Sequence, residues 1–213
     1  MSRPILYDYF RSSAAYRVRI ALNLKGVDYE SRQIDLRADE QKSDEYRRLN
    51  PQGLVPMLEI DGHRLTQSLA IIVYLDQTFP EPPLFPRDHA DGAHVRAMAM
   101  TVACDIHPLN NLRVLKYLKS ELGHEQDAID AWYVHWVREG FDALEAMAAA
   151  HAGKFLAGDA PTGADVCLVP QMYNARRFNV PVDDYPTLLR AEENANKLDA
   201  FAAASPDRRE VPA

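Results

Sequence analysis

Two serines, Ser12 and Ser13, stand in the stretch DYFRSSAAYRVRIALNLKG, with Arg11 just before them and Arg17 a few residues beyond. They fall where a short apolar, aromatic segment ends and a helical pattern begins, the place of an N-cap and a first-turn residue. A helix start presents unpaired N–H groups and positive potential, so it favours an anion. A serine hydroxyl there can cap the helix. It can also donate to a bound thiolate and so lower the thiol's pKa, because cysteine chemistry runs through the thiolate. No cysteine or histidine lies in the stretch, so a thiolate at this place has to come from a ligand. The residues alone leave capping and thiolate binding both open.

Three other places carry polar groups where chemistry is possible. In LVPMLEIDG, the Val55-Pro56 bond precedes a strand, and a cis bond would expose the Val55 backbone to a peptide-like ligand. In TQSLAIIVYL, Gln67 and Ser68 open a helix, with Ser68 a preferred N-cap type and Gln67 able to hold a carboxylate or ammonium group. In DIHPLNNLRVLKYLK, His107, Asn110, Asn111 and Arg113 crowd together beside Pro108 in an otherwise apolar region, as a cleft lining would, although the asparagines also suit capping. NARRF adds Arg176 and Arg177, which point about 100° apart on a helix, so at most one faces a given site. No closely spaced Cys/His pair or paired-His motif is present, and no metal is expected.

These residues need elements to hold them. PILYDYF reads as a strand, residues 12–25 as a helix with Val18, Ala21 and Leu22 on one apolar stripe and Tyr16, Ile20 and Leu24 on another. Arg17, Arg19 and Asn23 are left for other faces, and Gly26 is a plausible C-cap. VDYESRQIDL is a second strand, ADEQKSDEYRRLN a weak helix, and NPQG a turn. LVPMLEIDGHRLTQ makes two strands around the hairpin signal Asp61-Gly62, and SLAIIVYLDQTF a helix. The β-α-β start implies a parallel pair, and the hairpin adds an antiparallel strand. The proline-rich PEPPLFPRD then marks a linker. Beyond it only helices are expected: one or two through residue 122, bent near Pro108, then IDAWYVHWVREGFDALEAMAAA with Trp132, Trp136, Ala143 and Met147 among its apolar positions. TGADVCLVPQMYNARRF follows, opening on a Thr162–Asp165 capping box. TLLRAEENANKLDAFAAAS is the last helix, and the tail PDRREVPA is expected to fray. The organisation is thus an α/β domain over 1–80, a linker over 81–90, and an all-helical domain over 91–213.

Composition narrows the function. The 213 residues carry a formal net charge of −7, which argues against non-specific nucleic-acid binding, and their 47% hydrophobic content is enough for a core. No apolar run approaches the ~18 residues of a membrane span. MSRPILYDYF has neither a long apolar run nor a small-residue cleavage site, so no secretory leader is expected. Cys104 and Cys167 are the only cysteines. They are expected to be reduced core thiols, in keeping with a cytoplasmic location.

Together these pieces resemble the glutathione transferase superfamily, with a thioredoxin-like first domain and an all-helical second one. The blocks PILYDYFRSSAAYRVRIALNLKG, LNPQGLVPMLEIDG, QSLAIIVYL, DIHPLNNLRVLKYL and ADVCLVPQMYNARRF most resemble the zeta class, the maleylacetoacetate and maleylpyruvate isomerases. The resemblance spans nearly the whole chain. It implies glutathione as cofactor, a cis-enedione dicarboxylate as substrate, and a role in degrading tyrosine, phenylalanine or other aromatic compounds. It assigns Ser12 and Ser13 to the glutathione sulfur, Val55 and Pro56 to the cysteinyl backbone, Gln67 and Ser68 to the γ-glutamyl end, and His107 and Asn110 to further glutathione contacts. Arg11, Arg113 and Arg176 fall to the substrate, Arg11 with a share in catalysis, since a guanidinium fork suits carboxylates. The family usually forms homodimers. Its Ser-Ser-Cys pattern is broken here by Ala14. Two alternatives stay open: a transferase conjugating glutathione to small electrophiles, and a non-catalytic interaction module on the same fold.

Overall fold

The computed structural model describes residues 3–208, in two compact units. One takes the chain as far as Pro83 and again from Lys197; the other is Leu84–Asn196.

In the first unit, β1 (Ile5–Asp8), β2 (Glu30–Gln33), β3 (Met57–Ile60) and β4 (His63–Thr66) form a mixed sheet in the order β2-β1-β3-β4. β1 pairs parallel with β2 and antiparallel with β3, and β3 antiparallel with β4. Asp61 and Gly62 turn the β3–β4 hairpin with φ of 50° and 79°. Both lie in the left-handed region that a two-residue hairpin of this twist requires. α1 (Ser13–Leu24) and α3 (Ser68–Thr78) pack on each other, and the short α2 (Asp44–Leu49) sends Tyr46 into a cluster with Tyr7 and Met57. Lys25 closes α1, and Gly26 follows in the left-handed conformation at φ 64°.

α1 differs from its sequence reading in one respect. Arg17 and Arg19 were assigned to faces away from the apolar stripes, yet both are buried, at 1% and 0% exposure. Arg19 is tolerated because its donors are used: Nη1 meets Asp8 Oδ1 at 2.7 Å, Nη2 the Phe10 carbonyl at 3.1 Å, and Nε the Ala204 carbonyl at 2.9 Å. A buried ion pair survives only with such added hydrogen bonds.

The Ala204 contact reveals a second difference. The expected last helix is two: α8 (Pro186–Asn196) and α9 (Asp199–Ala204), separated where Leu198 goes extended at φ −87°, ψ 131°. α9 lies on α1, where Asn23 Nδ2 also donates to the Ala200 carbonyl. The chain from Lys197 therefore groups with the sheet unit rather than with residues 91–196. Pro206–Arg208 form a 3₁₀ turn where fraying was expected; the rest of that tail, 209–213, lies outside the described residues.

The second unit is helical. Its first residues come from the proline-rich segment expected to be a linker, and Leu84 and Phe85 are buried in it at 1% and 5% exposure. Gly163 N–H donates to the Leu84 carbonyl, and a Cβ at Gly163 would sit 2.5 Å from the Phe85 ring, so only glycine lets the chain pass. α4 (His89–Met100) runs into a wider π-type turn over Thr101–Ile106, so the break comes before Pro108, and α5 (Leu112–Ser120) restarts the helix. Cys104 is exposed on this turn, contrary to the expected core thiol, while Cys167 is buried; neither is in a disulfide. In α6 (Gln126–Ala149) the buried stripe is Ile129, Tyr133, Val137, Phe141, Leu144 and Ala148. Trp132 and Trp136 flank it half-buried, since Trp132 turns its Nε1–H to the Leu109 carbonyl at 2.9 Å. α7 (Gly163–Arg177) begins at the predicted box: Asp165 accepts from Thr162 N–H and Oγ1–H, both at 2.8 Å, and from Leu156 N–H at 2.9 Å. Burial nonetheless outweighs these bonds and pushes the Asp165 carboxyl up to about 6. No described helix is long and apolar enough to cross a membrane.

Candidate active site

The first unit carries seven of the eleven residues given roles above, on three chain segments. Ser12 is the N-cap of α1, with extended backbone at φ −69°, ψ 116°, and its Oγ accepts from Ala15 N–H at 3.2 Å. The cap consumes a lone pair. A hydroxyl has two lone pairs and one proton, so the Ser12 O–H is left to donate to something else. Capping and thiolate binding, alternatives on the sequence, are compatible on one oxygen. Ser13 is the first helical residue and is buried at 5% exposure. Arg11 precedes them, exposed, with its guanidinium 5.0 Å above the Phe10 ring.

Val55 is presented by a pinned turn. Gly53 has φ 61°, and a Cβ there would lie 2.9 Å from the Gln41 carbonyl, which explains the glycine of NPQG. The Leu54 carbonyl accepts from Asn50 Nδ2 at 2.7 Å and from Tyr46 Oη at 2.8 Å. Burial raises the Tyr46 hydroxyl to about 12, so it remains a donor at any physiological pH. Two bonds thus hold the residue just before Val55. The Val55-Pro56 peptide is cis, Pro56 is buried, and the β3 ladder begins only at Met57, which leaves the Val55 backbone ahead of the sheet pairing.

The head of α3 departs from the sequence reading. Gln67, not Ser68, is the N-cap, at φ 67°, ψ 114°, and its side chain makes no cap bond. Gln67 is exposed, with Nε2 donating to Gln52 Oε1 at 3.0 Å. Ser68 is the first helical residue, buried at 7% exposure, and its Oγ accepts from Arg17 Nη1 at 3.3 Å. The hydroxyl is taken by a buried cation instead of by the backbone. Neither α1 nor α3 has an acidic residue in its first turn, so neither positive end is neutralised from within.

The second unit holds the other four. His107 and Asn110 follow the π-type turn; Asn110 is buried at 8%, with Nδ2 3.5 Å from the Tyr133 carbonyl and Oδ1 without a protein partner. Asn111 caps α5 through Arg113 N–H at 3.1 Å, and Arg113 itself is exposed. Arg176, near the end of α7, is joined at Nη2 to Glu192 Oε2 of α8 at 2.8 Å. Burial raises the Glu192 carboxyl, against the pull of Arg176. Arg177 instead lies over the Phe178 ring at 5.5 Å. Among the described residues no group of three or more His, Cys, Asp or Glu is placed to hold a metal. Sequence reasoning noted Arg17 beside the serines without giving it a role, and passed over Asn50 and Glu192. The available signal for Arg17 was its i+4 spacing from Ser13, which puts both on one helix face.

Residues 3–77 match the family model described as the glutathione S-transferase N-terminal domain. A maleylacetoacetate isomerase of Rhizobium meliloti is 48% identical over 97% of this chain and 98% of its own length. The chain belongs to the zeta class of glutathione transferases, the maleylacetoacetate and maleylpyruvate isomerase family. Its structure superposes on a holo maleyl pyruvate isomerase, a bacterial zeta-class enzyme, with TM-score 0.95 and 44% identity, covering 98% of this chain and 100% of that one. A maleylacetoacetate isomerase of Methylobacterium extorquens AM1, solved with malonate and glutathione, gives TM-score 0.94 at 40% identity, covering 98% and 100%. The first unit fits glutathione: a hydroxyl with its proton to give at one helix head, a backbone segment ahead of the sheet, and a second un-neutralised helix head beyond it.

Proposed function

We propose that this chain is a glutathione-dependent cis–trans isomerase of a cis-enedione dicarboxylate, maleylacetoacetate or the related maleylpyruvate, in aromatic degradation. The observation that carries the reading is Ser12, whose oxygen caps α1 while its O–H stays available at a helix start with no acidic neighbour in the first turn and no thiol of its own.

When bound, glutathione would supply a thiolate nucleophile whose reversible addition to the conjugated carbon lets the double bond rotate. The chain's residues hold and charge-balance that event. Ser12, with Ser13, donates to the sulfur and keeps it ionised. Val55, ahead of cis Pro56, offers backbone hydrogen bonds to the cysteinyl residue. Gln67 and Ser68 hold the γ-glutamyl end, and His107 and Asn110 make further glutathione contacts. Arg11, Arg113 and Arg176 take the substrate's carboxylates and the negative charge that develops on its carbonyl oxygen. Arg176 brings a guanidinium already steadied on one edge by Glu192. In this reading the sheet unit binds glutathione and the helical unit, Leu84–Asn196, binds the substrate, and the protein works as a cytoplasmic homodimer, as the family resemblance implies.

The test is an ultraviolet assay of both cis acids, each with and without glutathione. Turnover that requires glutathione supports the reading, and the ratio of the two rates names the substrate. Glutathione binding without turnover of either acid would overturn it.

A further inference from the structure

Arg17 and Arg19 are both buried in α1, and their hydrogen bonds run to different places. Arg19 spends its donors on Asp8, Phe10 and Ala204, which are scaffold. Arg17 sends Nη1 to the hydroxyl of Ser68, at the head of a different helix. An arginine is rarely buried fully unless it is paired, and the pairing of Arg17 reaches another helix head. Arg17 also lies one turn beyond Ser13, on the same face of α1. A single guanidinium therefore links the helix that starts at the serines to the hydroxyl that starts α3.

We propose that Arg17 is a positioning residue for glutathione, acting through Ser68. A hydroxyl that accepts from a guanidinium has that lone-pair direction fixed, and its proton is turned away from the cation. For Ser68 this aims the O–H outward from the helix head, toward an anion docking there. The same contact places positive charge behind the donor, and charge-assisted bonds are about twice as strong as neutral ones. The carboxylate of the γ-glutamyl end is the anion that this arrangement suits. Lysine would keep the charge but not the planar fork that sets the direction. The inference rests on the reading of Gln67 and Ser68 as the γ-glutamyl holders.

The experiment is calorimetric titration of reduced glutathione into the wild type, Ser68→Ala, Arg17→Met, Arg17→Lys and the double variant Arg17→Met/Ser68→Ala. Michaelis constants for the dicarboxylate are measured alongside at saturating glutathione. Each single loss should weaken glutathione about tenfold, and the double variant should be little worse than the poorer single one, because both remove the same bond. Arg17→Lys should fall between wild type and Arg17→Met, and the dicarboxylate constant should stay put. If Ser68→Ala weakens glutathione but Arg17→Met does not, or if the two losses simply add, the role of Arg17 is refuted while the site reading stands. If Ser68→Ala binds glutathione like the wild type, the site reading fails first. A purely structural arginine would lower the melting temperature and move both substrates' constants together, which also counts against the proposal. Should Arg17→Met not fold, the same cycle run with Arg17→Lys decides the matter.

Discussion

Ser12 does two things in this account, and two substitutions separate them. Ser12→Ala removes the cap on Ala15 N–H, a bond of 3.2 Å, and with it the donor to the sulfur. Losing a serine cap costs about 1 kcal/mol of stability. Losing a hydrogen bond to a charged group costs about 1.5–3 kcal/mol, and one pKa unit corresponds to about 1.4 kcal/mol. The bound thiol should therefore titrate about one to two units higher, and at any pH well below its wild-type midpoint the thiolate fraction should fall about ten- to a hundredfold. Ser12→Asp is the sharper variant. Aspartate caps as well as serine does, so the urea midpoint should stay near that of the wild type. Its carboxylate, however, stands beside the thiolate with no proton to give, and like charges raise the thiol pKa further. The thiolate's ultraviolet absorbance, followed against pH with glutathione bound, reads the first quantity, and isomerisation at saturating glutathione reads the second. An Ser12→Asp enzyme that keeps both its thiol titration and its rate would refute the reasoning, because the cap alone would then have been all that Ser12 contributes.

Other outcomes follow from the same structure. Asp165→Ala should cost about 3–5 kcal/mol in urea unfolding, since it strands the buried N–H groups of Leu156 and Thr162; a loss below about 1 kcal/mol would be inconsistent with that bonding. The Asp165 carboxyl lies at about 6 in the folded chain against 3.8 ordinarily. Its folded pKa is the higher one, so its contribution is fully present below about 3.8 and declines by about 3 kcal/mol as pH rises through 6. The stability gap between the wild type and Asp165→Asn should accordingly narrow from pH 4 to pH 7, and a widening gap would reverse the sign argued here. Arg19→Ala should destabilise by about 3–5 kcal/mol, because the buried Asp8 carboxylate loses the guanidinium that balances its charge; an unchanged urea midpoint would contradict this. Arg176→Ala should raise the Michaelis constant for the dicarboxylate and leave glutathione affinity nearly intact, and an equal fall in both would dissolve the division of labour between the two ends of the site.

Local pattern carried much of the fold into the sequence. The hairpin at Asp61-Gly62, the left-handed Gly26 and the Thr162–Asp165 box are short-range devices, and each is legible because one residue type answers one backbone need. What escaped was set by distant neighbours. Arg17 and Arg19 look like solvent residues until Ser68 and Ala204, far along the chain, come to lie against them. The break at Leu198 is invisible in a helical composition, because the pull of α1 on residues 199–204 leaves no mark in the local sequence. The same holds at the site. Ser12, Ser13, Gln67 and Ser68 stand out by type and spacing at helix starts. That Ser68 is held by a guanidinium while Gln67 takes the cap position shows only in the tertiary structure. Glu192 went unnoticed because its partner Arg176 sits on another helix.

The central claim is that the thiol of glutathione, held by this chain, carries the isomerisation. Replacing glutathione with S-methylglutathione isolates the thiol, because the analogue keeps the cysteinyl backbone and γ-glutamyl groups that the site is proposed to hold and lacks the ionisable sulfur. S-methylglutathione should bind, compete with glutathione and support no turnover, while glutathione itself is recovered unchanged after many turnovers. Isomerisation sustained by S-methylglutathione, or glutathione consumed one for one with substrate, would contradict it.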